Sequence, residues 1–383
     1  AVCFALSLSA CSPNKTVDEY IASAKAHISN NKSPEALIEL KNAVRSDVKN
    51  PEVRALLGSL YLQHGEAAAA EKELQKALML GSTDKTLITK LLKSLELQGE
   101  NDESIELAEQ YKNLPAEELP GILLYKALAY TRLGDKEKAI AAISEANEIS
   151  ADSVYSRLGN AYIDADSSNT DDALSTLNSI LEKNPDLTEA LILQGQLLVN
   201  QQDYAGGINA FKRYFTLLPA DIKIRLYLAN AYIKNKQFDE AEQHVDSLLK
   251  VAPEHAFSNQ LKGLVYYQRQ NYKLALMHTE KAIQNGMNTS SNRVVAGLSA
   301  FNLKEFERAH QFLVSIADSL PSNHPVQRAL VIVQIQLGYN IDAGESLREL
   351  DELTSQDVKL FTVASFKLIK EGKIEEARAL LSK

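Results

Sequence analysis

The sequence predicts an all-α solenoid, and three observations predict it. First, the chain is self-similar: "AYIKNKQFDEAEQHVDSLLKVAPEH" from residue 231 aligns without a gap with "VYYQRQNYKLALMHTEKAIQNGMNT" from residue 265, an offset of 34. Second, a small residue keeps that register along the chain. It runs through Ala36, Ala70, Ser104, Ala139, Ala173, Gly207, Ala241, Ala275, Ala309, Ala343 and Ala377, with every step 34 except one of 35. Third, apolar residues return at helical spacing twice in each period, on either side of a short polar break. A fixed period of about 20–50 residues marks stacked repeats, each too small to bury its apolar face alone.

Taken in order, the chain opens with "AVCFALSLSACSPNKT", which holds both of its cysteines, Cys3 and Cys11. The rest of the sequence has no thiol with which to form a disulfide. A short apolar run ending in small residues and a cysteine is too short to span a bilayer and reads as an export signal. "LSAC" at Leu8–Cys11 is similar to the lipobox of bacterial lipoproteins. That resemblance implies cleavage before Cys11, lipidation of Cys11, a signal peptide over 1–10 and a linker over 11–16. Several acyl chains give a stable anchor where one gives marginal binding. Ser12 after the cysteine implies, by analogy with lipoprotein sorting, the outer membrane facing the periplasm. The sequence starts at Ala1 without a basic segment, so the reading expects a clipped N-terminus.

Each repeat then reads as two helices. Around 222–255, Ile222, Leu226, Ala229 and Ile233 recur at helical spacing, "NKQFD" interrupts, and Ala241, Val245 and Leu248 resume. A second small series lies in the first helices: Ala24, Gly58, Leu92, Ala127, Gly159, Gly195, Ala229, Gly263, Gly297, Val331 and Ser365. Where two helices cross closely, a larger side chain would push the axes apart; Gly207 stands where Ala is the norm, so Gly207→Ala is expected to stabilise a helical backbone there by about 0.5–1 kcal/mol. Aromatics three residues later (Tyr61, Tyr130, Tyr162, Tyr232, Tyr266) are expected to fill the space between helices. Pro185, Pro219, Pro253 and Pro321 are expected between repeats, where proline stops one helix and helps start the next. The repeat at Gly159 is read with two extra residues between its helices, and the repeat at 85–118 departs most, with Leu92 at a small position.

This helix–turn–helix pattern resembles the tetratricopeptide repeat, with Gly159, Tyr162, Ala173, Leu177 and Pro185 as the closest match. The resemblance implies a right-handed superhelical solenoid of about eleven repeats over 17–383, one continuous array. With its lipobox, the chain further resembles the tetratricopeptide-repeat lipoproteins of PEP-CTERM/exosortase systems. That resemblance implies a scaffold for protein partners of the cell-envelope and exopolysaccharide machinery, held to the membrane by its N-terminal lipid. The final "IEEARALLSK" has no polar capping helix after it, so the array is expected to continue beyond residue 383.

Little in the sequence argues for chemistry. The formal net charge is −9 and no run of Lys or Arg occurs, which argues against nucleic acid as a partner. Seven histidines are scattered without metal-ligand spacing, and no Gly-rich phosphate loop is present. No cofactor is expected, and His324 in "SNHP" reads as a helix start. A binding groove is the stronger expectation. Positions one and four residues after each small first-helix residue should line it, which nominates Asn160, Gln196, Asn230, Leu264, Tyr267, Leu298 and Phe301. The early part of this row is polar and the part from Leu264 onward apolar and aromatic, suited to an amphipathic helix or extended peptide. Tyr267 and Phe301 equally suit packing between repeats. A polysaccharide-binding or enzymatic envelope protein, its active part outside this chain, is the second reading, although sugar platforms normally use Trp and there is none.

Overall fold

The computed structural model describes residues 15–30, 32–219, 221–350 and 353–382, with the side chain of residue 356 also left aside. "LSAC", Cys3 and Cys11 lie outside the described residues. Those residues form 22 α-helices and one 3-10 turn, with no strand among them. The chain divides into two compact units, one ending at Asp221 and one running from Ile222.

The N-terminal unit holds six helix pairs. They are α1 (Val17–Ser29) with α2 (Ser33–Ser46), α3 (Pro51–Gln63) with α4 (Ala67–Met79), and α5 (Leu87–Gln98) with α6 (Asn101–Gln110). Then come α7 (Leu119–Arg132) with α8 (Lys136–Ser150), α9 (Val154–Asp166) with α10 (Thr170–Lys183), and α11 (Thr188–Asn200) with α12 (Tyr204–Leu217). The C-terminal unit holds five. They are α13 (Ile222–Lys234) with α14 (Phe238–Val251), α15 (Ala256–Gln268) with α16 (Tyr272–Gln284), and α17 (Ser290–Asn302) with α18 (Phe306–Leu313). After a 3-10 turn at Ala317–Ser319 follow α19 (Pro325–Leu337) with α20 (Asn340–Arg348) and α21 (Ser355–Lys370) with α22 (Ile374–Leu381). Within each unit every helix packs on its pair-mate, and from α3 onward successive first helices also touch, forming a layer of their own.

Small residues hold the pairs together as the spacing requires. All eleven second-helix markers, from Ala36 to Ala377, are buried. The first-helix position works with the residue sixteen later, on the facing helix. A methyl group built on Gly58 would lie 2.7 Å from Leu74 Cγ, and one on Gly195, Gly263 or Gly297 would strike Phe211, Thr279 or Leu313. The deviant repeat follows the same rule with sizes exchanged: Leu92 stands at the small position and Ala108 at the large one, both buried. Volume across the contact is conserved, which is what a close-packed core tolerates.

The link between the two helices of a pair is equally regular. A residue with positive φ stands in it at Gly65, Gly99, Gly134, Ser168, Gln202, Lys236, Gln270, Lys304, Gly338 and Gly372, again 34 apart with one step of 35. The next residue's N–H returns to a carbonyl five back, as Asn271 to Tyr266 at 2.9 Å and Glu66 to Tyr61 at 2.9 Å. This is the Schellman closure of a helix end. Five of these sites carry a Cβ in a conformation that disfavours one. Gln270 is among them, and its side chain is exposed. Gln270→Gly is therefore expected to stabilise the protein by about 0.5–1 kcal/mol, the relief of left-handed strain exceeding the added freedom of the unfolded chain. A urea midpoint that falls would contradict this.

Two expectations need correction. The repeat at Gly159 has no extra residues: α9 ends at Asp166 and α10 begins at Thr170, the same link as between Asn200 and Tyr204. The equivalent of Gly195 is Ala161, fully buried, and Gly159 instead faces backward, where a side chain would strike Ile143 of α8. The single irregular step falls in the α6–α7 connection. Nor is Gly207 a position where Ala would gain helix stability. A methyl there would lie 2.5 Å from Val199 Cγ2 and 3.0 Å from the Gly195 carbonyl, so close packing outweighs propensity. The prolines Pro185, Pro219, Pro253 and Pro321 do fall between pairs, and His324 caps α19 by accepting from the Val326 N–H at 3.2 Å.

Candidate functional site

In the C-terminal unit the first helices α13, α15, α17, α19 and α21 lie side by side. The positions one and four residues after their small residues form one register row: Asn230 and Ile233, Leu264 and Tyr267, Leu298 and Phe301, Ile332 and Ile335, Phe366 and Ile369. Asn230, Leu264, Tyr267, Leu298 and Phe301 are all half-buried. Leu264 rests on a cluster of Ala229, Val245 and Leu261. Leu298 packs on the cluster of Leu313 and Val326, and Phe301 touches both that cluster and the one around Ala296 and Ala300. These side chains thus divide their surface between neighbouring repeats and solvent. Tyr267 meets Tyr272 edge-on with ring centroids 5.9 Å apart, and burial pushes its hydroxyl pKa up.

The row gains two residues that the sequence reading passed over. Phe366 and Ile369 hold the same register after Ser365, and they are 66% and 48% exposed. Val358 and Val363 of the same helix also stand in solvent. Next to them lies an apolar hollow lined by Ile369, Ile374, Ala377 and Leu381. The rule that nominated Leu264 and Phe301 also yields these positions; only its extension to the last repeat was missing.

The corresponding face of the N-terminal unit is occupied by its own side chains. Glu189 of α11 and Lys93 of α5 form an ion pair at 2.9 Å. The Tyr125 hydroxyl of α7 donates to Glu189 at 2.5 Å, the Thr188 hydroxyl donates at 3.0 Å, and Lys93 also donates to Thr188 at 2.7 Å. Tyr162, two positions along from Asn160, donates to the Glu189 carbonyl at 3.4 Å. Burial alone would push the Glu189 carboxyl up; the Lys93 charge and the Tyr125 and Lys93 hydrogen bonds outweigh it and hold the group below the ordinary range. Burial, and then the charge of Glu189, push Tyr125 well above its ordinary value. The polar atoms of this cluster are spent on one another, which is the arrangement of a structural clamp.

Asn160, nominated for the groove, is two residues out of register. Its amide exchanges hydrogen bonds with Asn147 of α8, at 2.9 and 3.2 Å, so it serves the contact between repeats. Gln196 is half-buried on α11. Among the described residues no group of three or more His, Cys, Asp or Glu could hold a metal ion. The imidazoles of His244 and His278 stack on Tyr232 and Tyr266, and burial lowers both histidine pKa values. No helix of the described residues is long and apolar enough to cross a membrane.

Comparison with known proteins agrees with this geometry. Models of the tetratricopeptide repeat match residues 21–85, 122–153, 158–222 and 198–263, together more than half of the chain. The chain belongs to the tetratricopeptide repeat family. A curated protein similar to it is the CTR9 homolog of Arabidopsis thaliana, 26% identical over 203 residues; the match spans 50% of this chain and 18% of that protein. Among solved structures, pilF of Pseudomonas aeruginosa is 16% identical, covering 54% of this chain and 94% of its own, with a TM-score of 0.46. A tetratricopeptide repeat protein from Parabacteroides merdae is 18% identical, covering 83% and 98%, with a TM-score of 0.36.

Proposed function

We propose that this chain is a lipid-anchored periplasmic scaffold that docks protein partners on the first-helix face of its C-terminal unit, in exopolysaccharide production or export linked to an exosortase system. The observation that carries the docking role is the row of Leu264, Tyr267, Leu298 and Phe301, apolar and aromatic side chains half-exposed on mutually packed first helices. Aromatic anchors dominate binding energy once a partner buries them. The tetratricopeptide repeat suits such a role, since stacked helix pairs present a long surface without committing it to chemistry. Anchor, compartment and polymer rest on the "LSAC" motif and on the lipoprotein resemblance.

Two measurements test the two halves. In a Gram-negative host expressing the precursor, labelled fatty acid should enter the protein and Cys11→Ser should abolish the label; equal labelling of the variant removes the anchor. For the scaffold, partners co-purified from the envelope should be lost from Tyr267→Ala with Phe301→Ala while circular dichroism stays unchanged. A folded double variant that keeps every partner at full yield removes the docking face.

A further inference from the structure

In a stack of helix pairs each repeat normally touches only the next, so the stack flexes by small rotations that add along its length. The Glu189 cluster departs from that rule. Lys93 stands on α5, Tyr125 on α7, Tyr162 on α9 and Glu189 on α11, the first helices of four successive repeats. Lys93 Nζ lies 2.9 Å from the Glu189 carboxylate and 2.7 Å from the Thr188 hydroxyl. The Tyr125 hydroxyl donates to the same carboxylate at 2.5 Å, and that of Tyr162 to the Glu189 carbonyl at 3.4 Å. Three repeat-to-repeat steps separate α5 from α11, yet their side chains meet.

A bond that skips three steps is sensitive to all of them. With first-helix axes about 9 Å apart, a change of about 5° at each step would carry α11 about 5 Å relative to α5. A hydrogen bond stretched by about 0.6 Å is no longer one. The flexible Lys93 side chain follows part of such a movement, but Tyr125 is buried, and parting the cluster strands the buried Glu189 carboxylate. In the C-terminal unit the ion pairs of Lys262 with Glu242, Arg269 with Asp239 and Arg308 with Glu280 join neighbouring repeats. Each spans a single step, and the same change displaces its partners by about 1 Å.

We infer that the Glu189 cluster is a clasp that fixes the curvature of the N-terminal unit, so that this unit is stiff and the C-terminal unit compliant. A first-helix face held in this way cannot splay to admit a partner segment, whereas the face of the C-terminal unit adapts its curvature to what it meets. Stiffness of this kind is independent of whether the row from Leu264 to Phe301 binds a partner.

Pulsed electron paramagnetic resonance on the full chain, with Cys3→Ser and Cys11→Ser, tests the clasp through nitroxide pairs at exposed second-helix positions three steps apart. Glu106→Cys with Asn209→Cys spans the clasp from α6 to α12, and Gln243→Cys with Asp342→Cys spans α14 to α20 of the C-terminal unit. The distance distribution of the first pair should be about half as wide as that of the second, or narrower. Lys93→Met with Glu189→Gln cuts the bond between α5 and α11 without stranding a charge. It should widen the distribution of the first pair about twofold while circular dichroism stays unchanged. Lys136→Met removes a pair between neighbouring repeats, 2.8 Å from Asp166, and should leave that distribution as it was. Equal widths for the two label pairs in the otherwise native chain overturn the clasp whether or not the variant folds. So does a folded variant with an unchanged width, or an equal widening produced by Lys136→Met.

Discussion

Lys93→Met is expected to cost about 3–5 kcal/mol, because it leaves Glu189 charged, buried and unpaired. Glu189 is 6% exposed, and its carboxylate is held by Lys93, Tyr125 and Thr188. Adding Glu189→Gln should recover part of the loss, since the neutral amide removes the stranded charge. The pH dependence gives a second readout. In the native protein the Glu189 pKa is depressed, so its contribution is full above the ordinary glutamate value of 4.5 and disappears as pH falls through the lowered value. Without Lys93, burial dominates and the pKa rises, so the variant gains relative stability on acidification. The gap between the two proteins, read from urea midpoints, should begin to narrow above pH 4.5, as the variant's raised carboxyl protonates, and narrow further below it as the native carboxylate does. A constant gap would mean that Lys93 acts by packing alone.

Phe211→Ala should cost a similar amount, about 3–5 kcal/mol, through the cavity left between α11 and α12. Phe211 is 1% exposed and fills the space that Gly195 leaves. The sharper result lies in the pair. Gly195→Ala alone should cost about 1–3 kcal/mol because the ring blocks the new methyl. In the Phe211→Ala background the obstacle is gone, and the same substitution should be neutral or gain about 1 kcal/mol of helix propensity. Additive losses would show that these positions do not face each other as the register places them.

The period was legible because packing geometry demands it. A small residue where two helices cross leaves a mark at each repeat, and Ala36 through Ala377 could be read without a structure. Leu92 looked like an exception because one helix was read without its partner; with Ala108 beside it the contact is ordinary. The register slipped at Gly159 because two glycine-like positions, Gly159 and Ala161, lie two residues apart, and one serves the preceding helix and the other its own pair. The positive-φ turn series would have resolved this, but half of its members are Ser, Gln or Lys, which give no conformational signal in sequence. The clamp was hidden for another reason: 95 residues separate Lys93 from Thr188, and nothing local marks two charged residues as partners across three repeats. Phe366 and Ile369 needed only the spacing rule, carried to the last pair.

A photo-crosslinking residue placed at single positions tests the docking face most directly. At position 267 on α15, or at 301 on α17, it should capture discrete envelope proteins in intact cells. At Val251, more exposed than either but at the end of the second helix α14, it should capture none of them. The same partners captured at 251 as at 267, or captured there alone, would contradict a partner-binding face on the first helices of the C-terminal unit.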